Sequence, residues 1–507
     1  MLTQLLEPTD DRANPLFKDA ASCKRWLEKL QTTNMQLAHS LLLTEINELN
    51  RYAMRGQERL DTLELLRDAV HYVQHEYGKR LVAKPLPLNE NELLAFYATV
   101  QLWQALATGY QRCLQTAIAG DKYLDKRRAL LCQRAMRYAE LAIGEYTRTG
   151  YEVDGRLWRL MHDLYQFAEA QQLLSEQVSD PLNQDRPNRS CIETYLEALL
   201  TELARPAALT RAQLHLLAGW MPQWIAMLTV EHRYAASRGD APPLAFDLEG
   251  PPHGLQLARD VPPGVGVRYL AMISVSKSIR VRSVLLQQGK SPEQVDLGTV
   301  AGSRECLELL GHLHRRWCEE SGVRTGADTQ RDRQIQLCHQ TENIYAHLTG
   351  KPSAESSIEH WTIDLVNALE AELTRAPSTG GQLGRRQLVA LRRGDDKPYM
   401  LAATAWVQVA RTGQLHIGVH FLPGEVEAIN LTATEADQAI LPKAVGAFLL
   451  HAIPESKLPP SLIVPRIWFK AGRVVEILKR SGEKQAVRLA FSVEQGVDFE
   501  RVSFMPA

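Results

Sequence analysis

Tyr399-Met-Leu-Ala-Ala-Thr-Ala-Trp406-Val-Gln-Val-Ala410 runs through Arg411-Thr-Gly413-Gln straight into Leu415-His-Ile-Gly418-Val-His-Phe421, and Pro423-Gly424 follows. The apolar residues of both runs recur every second position, many of them β-branched or aromatic, and the interruptions carry glycine and proline. That combination reads as two antiparallel strands joined by a short turn. Similar runs lie at 387–392, 461–464, 473–478 and 486–491, with Ser481-Gly482 as a further turn. From residue 374 onward the hydrophobic period is therefore 2, and short strands at this spacing predict a small antiparallel barrel or sandwich. Within it, the stretch 433–451 reads as a helix packed on the sheet.

Upstream the period is 3.6. Leu63, Leu66, Val70, Val73 and Tyr77 share one helical stripe, and Leu93, Phe96, Val100, Trp103, Ala107 and Tyr110 form a longer one. Asn89 or Asn91 caps the second stripe, after Pro85 and Pro87 have ended the first helix. Residues 125–148 and 156–175 predict a further helical pair, with Met136, Leu141, Trp158, Met161, Tyr165 and Phe167 facing inward. Such pairs resemble tetratricopeptide hairpins, but no 34-residue period accompanies them. The polar, proline-bearing stretch 176–190 reads as a linker or exposed loop. Helices resume at 191–204 and 210–230, a proline-rich β insertion occupies 241–275, and helices at 276–288 and 300–320 follow. The expected organisation is α+β: a helical-hairpin domain over 1–180, a second helical domain with a short β insertion over 191–321, and a barrel with its lead-in over 322–507.

Composition narrows the function. Lysine and arginine balance aspartate and glutamate to a formal net charge of -1, so neither a nucleic acid nor an anionic membrane is an expected partner. The seven cysteines are scattered without a CxxC pair, which suits reduced thiols and a cytoplasmic location. The N-terminus carries no signal-like pattern, and no run of about 18 apolar residues predicts a membrane span. Zincin, nucleophile-elbow, Walker and dinucleotide fingerprints are all missing. His312 and His314, two apart on a helix, point away from each other and cannot clasp one metal. The chain thus reads as a protein without enzymatic activity, without a metal and with no certain cofactor.

Arginine is the remaining chemistry. Arg315, Arg316, Arg324, Arg331 and Arg333 precede the barrel, and Arg385, Arg386, Arg392 and Arg393 lie inside it. A planar guanidinium fork binds phosphate bidentately and stacks on base planes, so a clamp on a nucleotide phosphate is one use for such clusters.

The stretch Ala376-Pro-Ser378-Thr-Gly380-Gly381, the strand carrying Trp406 and the run Ile417-Gly418-Val419 together resemble the PilZ domain, a small barrel with which bacteria bind cyclic di-GMP. The motif-level resemblance covers about 374–430. The wider layout is similar to large bacterial proteins that join a helical N-terminal region to a divergent PilZ-like end. The resemblance implies cyclic di-GMP as ligand. It also implies two contact sets: arginines of an RxxxR motif in the lead-in, and a [D/N]xSxxG motif that Ser378 and Gly381 match in part. Ala376 stands where that motif has Asp or Asn, and no RxxxR occurs. The candidate ligand residues are therefore Arg331, Arg333, Ser378, Gly381, Arg385 and Arg386.

The reading that follows is a cytoplasmic regulator or adaptor with a degenerate PilZ-like domain, binding protein partners and with a cyclic dinucleotide as an optional further ligand. By resemblance those partners belong to motility, pilus or surface-attachment machinery. The alternative is a working cyclic-di-GMP receptor controlling motility or attachment, and a second alternative is an enzyme in the helical half.

Overall fold

Helix after helix begins where a side chain can satisfy the free amides of a first turn. In the computed structural model, Asn89 and Glu92 bond each other's backbone at the start of α4 (Glu90–Ile118). Ser190 with Glu193 starts α8 (Cys191–Leu203) in the same way, and Thr210 with Gln213 starts α9 (Arg211–Ile225). Before these come α1 (Ala20–Leu27), α2 (Met35–Arg51) and α3 (Gly56–Gly78), and between them α5 (Lys122–Asp125), α6 (Arg128–Thr149) and α7 (Gly155–Ala170). The helices α10 (Ile273–Gln287) and α11 (Ser303–Cys318) follow. The structure describes residues 9–10, 12–183, 186–233, 241–319, 334–352, 358–366, 369–394, 397–433, 442 and 444–507.

The predicted stripes face inward. Leu63, Leu66, Val70, Val73 and Tyr77 are buried, as are Phe96, Val100, Trp103, Ala107 and Tyr110, while Leu93 at the start of the second stripe is half-buried. Leu141 of the second predicted pair is only half-buried, unlike its companions. The stretch 176–190 differs from the expected linker. It forms a small hairpin of β1 (Val178–Ser179) and β2 (Asn188–Arg189) whose Asp180 and Arg189 are buried. Charge pairing holds it down. Asp180 receives Arg67 and Arg134, and Arg189 reaches Glu140 and Glu197. The predicted β insertion is a four-stranded antiparallel sheet of β3 (Val230–Glu231), β4 (Leu244–Asp247), β5 (Gln256–Leu257) and β6 (Val267–Leu270).

The C-terminal part holds two closed antiparallel barrels. The first is built from β7 (Gln334–His339), β8 (Glu359–Val366), β9 (Glu370–Arg375), β10 (Leu388–Arg392), β11 (Met400–Val409) and β12 (Leu415–Phe421), and β7 pairs with β10 to close it. Its first three strands fall where only a lead-in was expected, although Ile335 and Leu337, Trp361 and Ile363, and Ala371 and Leu373 alternate in sequence and are buried. The second barrel comprises β13 (Val426–Ala433), β14 (Ala444–Leu450), β15 (Ser461–Val464), β16 (Val474–Leu478), β17 (Lys484–Gln495) and β18 (Glu500–Pro506). Of the expected helix over 433–451, residues 434–441 and 443 lie outside the described residues, and Ala444–Leu450 is strand rather than helix. Residues 444–450 pair with both β13 and β15, and Ala447, Phe448, Leu449 and Leu450 are all buried, so two-sided burial produced an unbroken apolar run without alternation.

The described residues divide into two compact units, Met1–Val82 with Asn89–Thr325, and Ala83–Leu88 with Gly326–Ala507. The two barrels share a core inside the second unit. Leu388, Ala390, Leu401, Ala403 and Leu422 pack with Ala428, Phe448, Leu450, Ile463 and Phe499. A helix after β7, α12 (Thr341–Thr349), contributes Ile344 to this core, and its Tyr345 hydroxyl donates to Asn430 Oδ1 at 3.0 Å.

Candidate functional site

The segment between β9 and β10 gathers most of the described candidates, and its shape follows from one buried carboxylate. Glu359 of β8 is 6% exposed. Its oxygens accept from Arg375 Nη1 at 2.6 Å, the Gly381 amide at 2.6 Å and Trp361 Nε1 at 3.0 Å, and His339 Nε2 lies 3.3 Å away. Burial alone would raise its pKa. The bonds from His339, Gly381 and Arg375 outweigh that and hold it at about 2. Arg375 also donates to the Gly381 carbonyl at 2.8 Å and lies over the Trp361 ring. The loop 376–381 is thereby tied to the barrel wall at both ends. A Cβ on Gly380 would lie 2.3 Å from a Glu359 oxygen, and φ is positive at both Ser378 and Gly380, so this turn needs its glycine.

Residues 382–387 are fixed from three sides. Leu383 exchanges backbone hydrogen bonds with Leu86, each 2.8 Å, and Gln382 Nε2 donates to the Pro87 carbonyl at 2.7 Å. The Arg386 amide donates to the Thr404 carbonyl, and the Thr404 hydroxyl donates to the Gly384 carbonyl at 2.6 Å. From the second barrel, the Val497 amide donates to the Arg386 carbonyl at 2.7 Å and Asp498 accepts from the Leu388 amide at 2.9 Å.

Two neighbouring guanidinium groups project from this rigid frame. Arg385 is half-buried, and its Nε donates to the Ala405 carbonyl at 3.2 Å. Burial, with a smaller contribution from the charge of Arg386, lowers its pKa to about 10. Arg386 is exposed at a left-handed backbone position, φ 58°. Among the described residues neither forms an ion pair. A partly desolvated cation beside a second cation, without a carboxylate, is stabilised by an anion that approaches both. Arg392 differs, because it donates to Gln336 Oε1 at 2.7 Å and lies over the Tyr399 ring, which makes it a strand-packing residue.

Of the sequence-predicted residues, Arg331 and Arg333 lie outside the described residues. Ser378 and Gly381 belong to one loop, but the Gly381 amide is directed to Glu359 rather than outward. Arg385 and Arg386 are adjacent at the far end of the same segment. Sequence reasoning missed Glu359, Arg375, His339 and the bridge from Leu86 to Leu383. The signal was there in part: Arg375 continues the inward series Ala371, Leu373, and an inward charge on a barrel strand demands a counter-ion. His312 and His314 have separate partners, Ala204 O for one and Ser276 and Glu319 for the other.

Glu140 and Glu197, two carboxylates of the helical unit, are engaged by arginines. A cavity of about 190 Å³ between α6, α8 and α9 is lined by Glu140, Glu197 and Thr201 among apolar side chains. Glu140 is bonded by Arg137 and Arg189, and Glu197 by Arg186 and Arg189. Burial opposes the charge on Glu140, but Arg189 and Arg137 outweigh it and keep its pKa below the usual range. A carboxylate held ionised in this way is a poor proton donor or acceptor near neutral pH.

Fold and site together define a helical unit joined to tandem six-stranded barrels, with an arginine-bearing loop fixed in the first barrel. Two family models match the chain: the cyclic-di-GMP receptor FimW N-terminal domain over residues 21–236, and the FimW C-terminal beta-barrel domain over residues 438–507. A curated relative, the cyclic-di-GMP receptor FimW of Pseudomonas aeruginosa, is 23% identical across 95% of this chain and 90% of its own. No solved structure matches the chain. The stretch 374–430, which carries the PilZ resemblance, falls between the two matched ranges.

Proposed function

We propose that this chain is a cyclic-di-GMP receptor, a regulator without catalytic activity of its own, and that Arg385 and Arg386 hold a phosphate of the ligand. The observation that carries the reading is the pair of arginines that, among the described residues, have no counter-ion, on a loop immobilised from three sides. The similarity to a protein named as a cyclic-di-GMP receptor, along nearly the whole chain, supplies the ligand. The adaptor with a degenerate domain, favoured from sequence, yields to this reading. Its argument rested on Ala376 and the missing RxxxR, and the arginine pair gives phosphate an alternative grip. The helical unit would then present the partner-binding surface, with motility, pilus or attachment machinery as the partner class and the cytoplasm as the place of action.

Calorimetric titration of the full chain with cyclic di-GMP tests this, with GMP as the control. Arg385→Ala and Arg386→Ala should each weaken binding at least tenfold, since a lost charge-assisted contact costs about 1.5–3 kcal/mol. Full affinity in both variants would move the site elsewhere, and no binding by wild type would remove the receptor reading.

A further inference from the structure

Residues 83–88 are the anomaly of the chain's path. They lie between two helical segments in sequence, yet they belong to the barrel unit. Leu86 and Leu88 are 4% and 7% exposed, and Leu86 forms a two-bond bridge to Leu383. Gln382 adds its side-chain bond to Pro87, and Pro85 lies against Gly384. Leu383 and Gly384 immediately precede Arg385.

The strap has little slack on either side. A 3₁₀ turn that continues α3 ends at Leu81, with Val82 as its cap. Asn89 is already the N-cap of α4, where its Oδ1 accepts from the Glu92 amide at 3.0 Å and its amide donates to Glu92 Oε2 at 3.2 Å. A displacement or stiffening of 382–386 therefore passes through two backbone hydrogen bonds into a six-residue segment flanked by the helix caps Val82 and Asn89. A flexible linker would absorb such a change; a short segment bridged at Leu86 and flanked directly by helix caps absorbs less of it.

We propose that this strap is the readout element of the arginine loop: ligand held by Arg385 and Arg386 tightens the Leu383–Leu86 bridge and is felt at the caps of α3 and α4. The proposal rests on the receptor reading above and adds the route by which occupancy reaches the helical sequence. Coupling of this kind is reciprocal, so loosening the strap must also weaken the ligand.

The experiment is hydrogen exchange on the full chain with and without saturating cyclic di-GMP, paired with calorimetry on the same samples. Peptides covering 83–92 should exchange about tenfold more slowly with ligand, equivalent to ~1.4 kcal/mol of added closing free energy. Gln382 is exposed, so Gln382→Ala should fold normally, bind several-fold more weakly and show a smaller slowing at 83–92. Normal binding with unchanged exchange across 83–92 overturns the coupling and leaves the receptor reading intact. Absence of binding by wild type overturns both. Slowing at 83–92 that is undiminished in Gln382→Ala, with full affinity, would also overturn the route.

Discussion

Replacing Glu359 by glutamine tests the account of the loop most directly. Glutamine keeps the shape but removes the charge opposite Arg375, which is 3% exposed, and its amide group turns a donor toward groups that are themselves donors. The magnitude can be worked in two ways. A shift from 4.5 to about 2 corresponds to about 3 kcal/mol at 1.36 kcal/mol per unit, and solvent screening trims this to ~2–3. Breaking one partner of a buried pair costs about 3–5 kcal/mol in general. Glu359→Gln should therefore destabilise the barrel unit by about 3 kcal/mol near neutral pH. Because the folded-state pKa lies below the unfolded one, the contribution of Glu359 is complete above pH 4.5 and disappears as pH falls toward 2. The gap between wild type and variant should shrink over that window. Exchange of the β11 and β12 amides reads it, since a chain with two units has no single unfolding free energy. A gap below ~1 kcal/mol at pH 6, or one that persists unchanged at pH 2.5, would refute the assignment of Glu359 as the loop's anchor.

Three further outcomes follow from the same kind of accounting. Gly418→Ala would place a Cβ 2.0 Å from Trp406 Nε1, so the indole must move, with a loss of about 1–3 kcal/mol and a shifted tryptophan emission; unaltered melting and emission would show that the ring is not held there. In the helical unit, burial lowers the pKa of His39 and of His162 to about 4. Both stay neutral when folded but take up protons when unfolded below pH 6.5, so stability should fall as pH drops from 6.5 toward 4. The loss is up to ~3 kcal/mol per histidine, and a flat profile from pH 7 to 5 would contradict it. Asp180→Ala leaves Arg67 and Arg134, 3% and 1% exposed, without that carboxylate, so a loss of about 3–5 kcal/mol is expected. Limited proteolysis should then cut within 176–190, and resistance equal to wild type would count against the hairpin's electrostatic anchoring.

The sequence alone determined the α+β order of the chain and the buried faces of α3 and α4. It also determined the strands around Trp406 and Gly418. These are local properties: a period of 3.6 or 2 and the capping residues beside it record which face of a segment avoids water, whatever covers that face. Only the tertiary structure decided that Arg375 meets Glu359 across 16 residues, that Asp180 meets Arg67 across 113 and that Leu86 pairs with Leu383. It also decided that, among the described residues, Arg385 and Arg386 have no carboxylate partner, whereas Arg392 is engaged by Gln336 and Tyr399. Charge pairing and strand pairing depend on which distant segments the closed barrels and packed helices bring within about 3 Å. One sequence carries the chemical type of each partner but no record of which of many like residues it will meet.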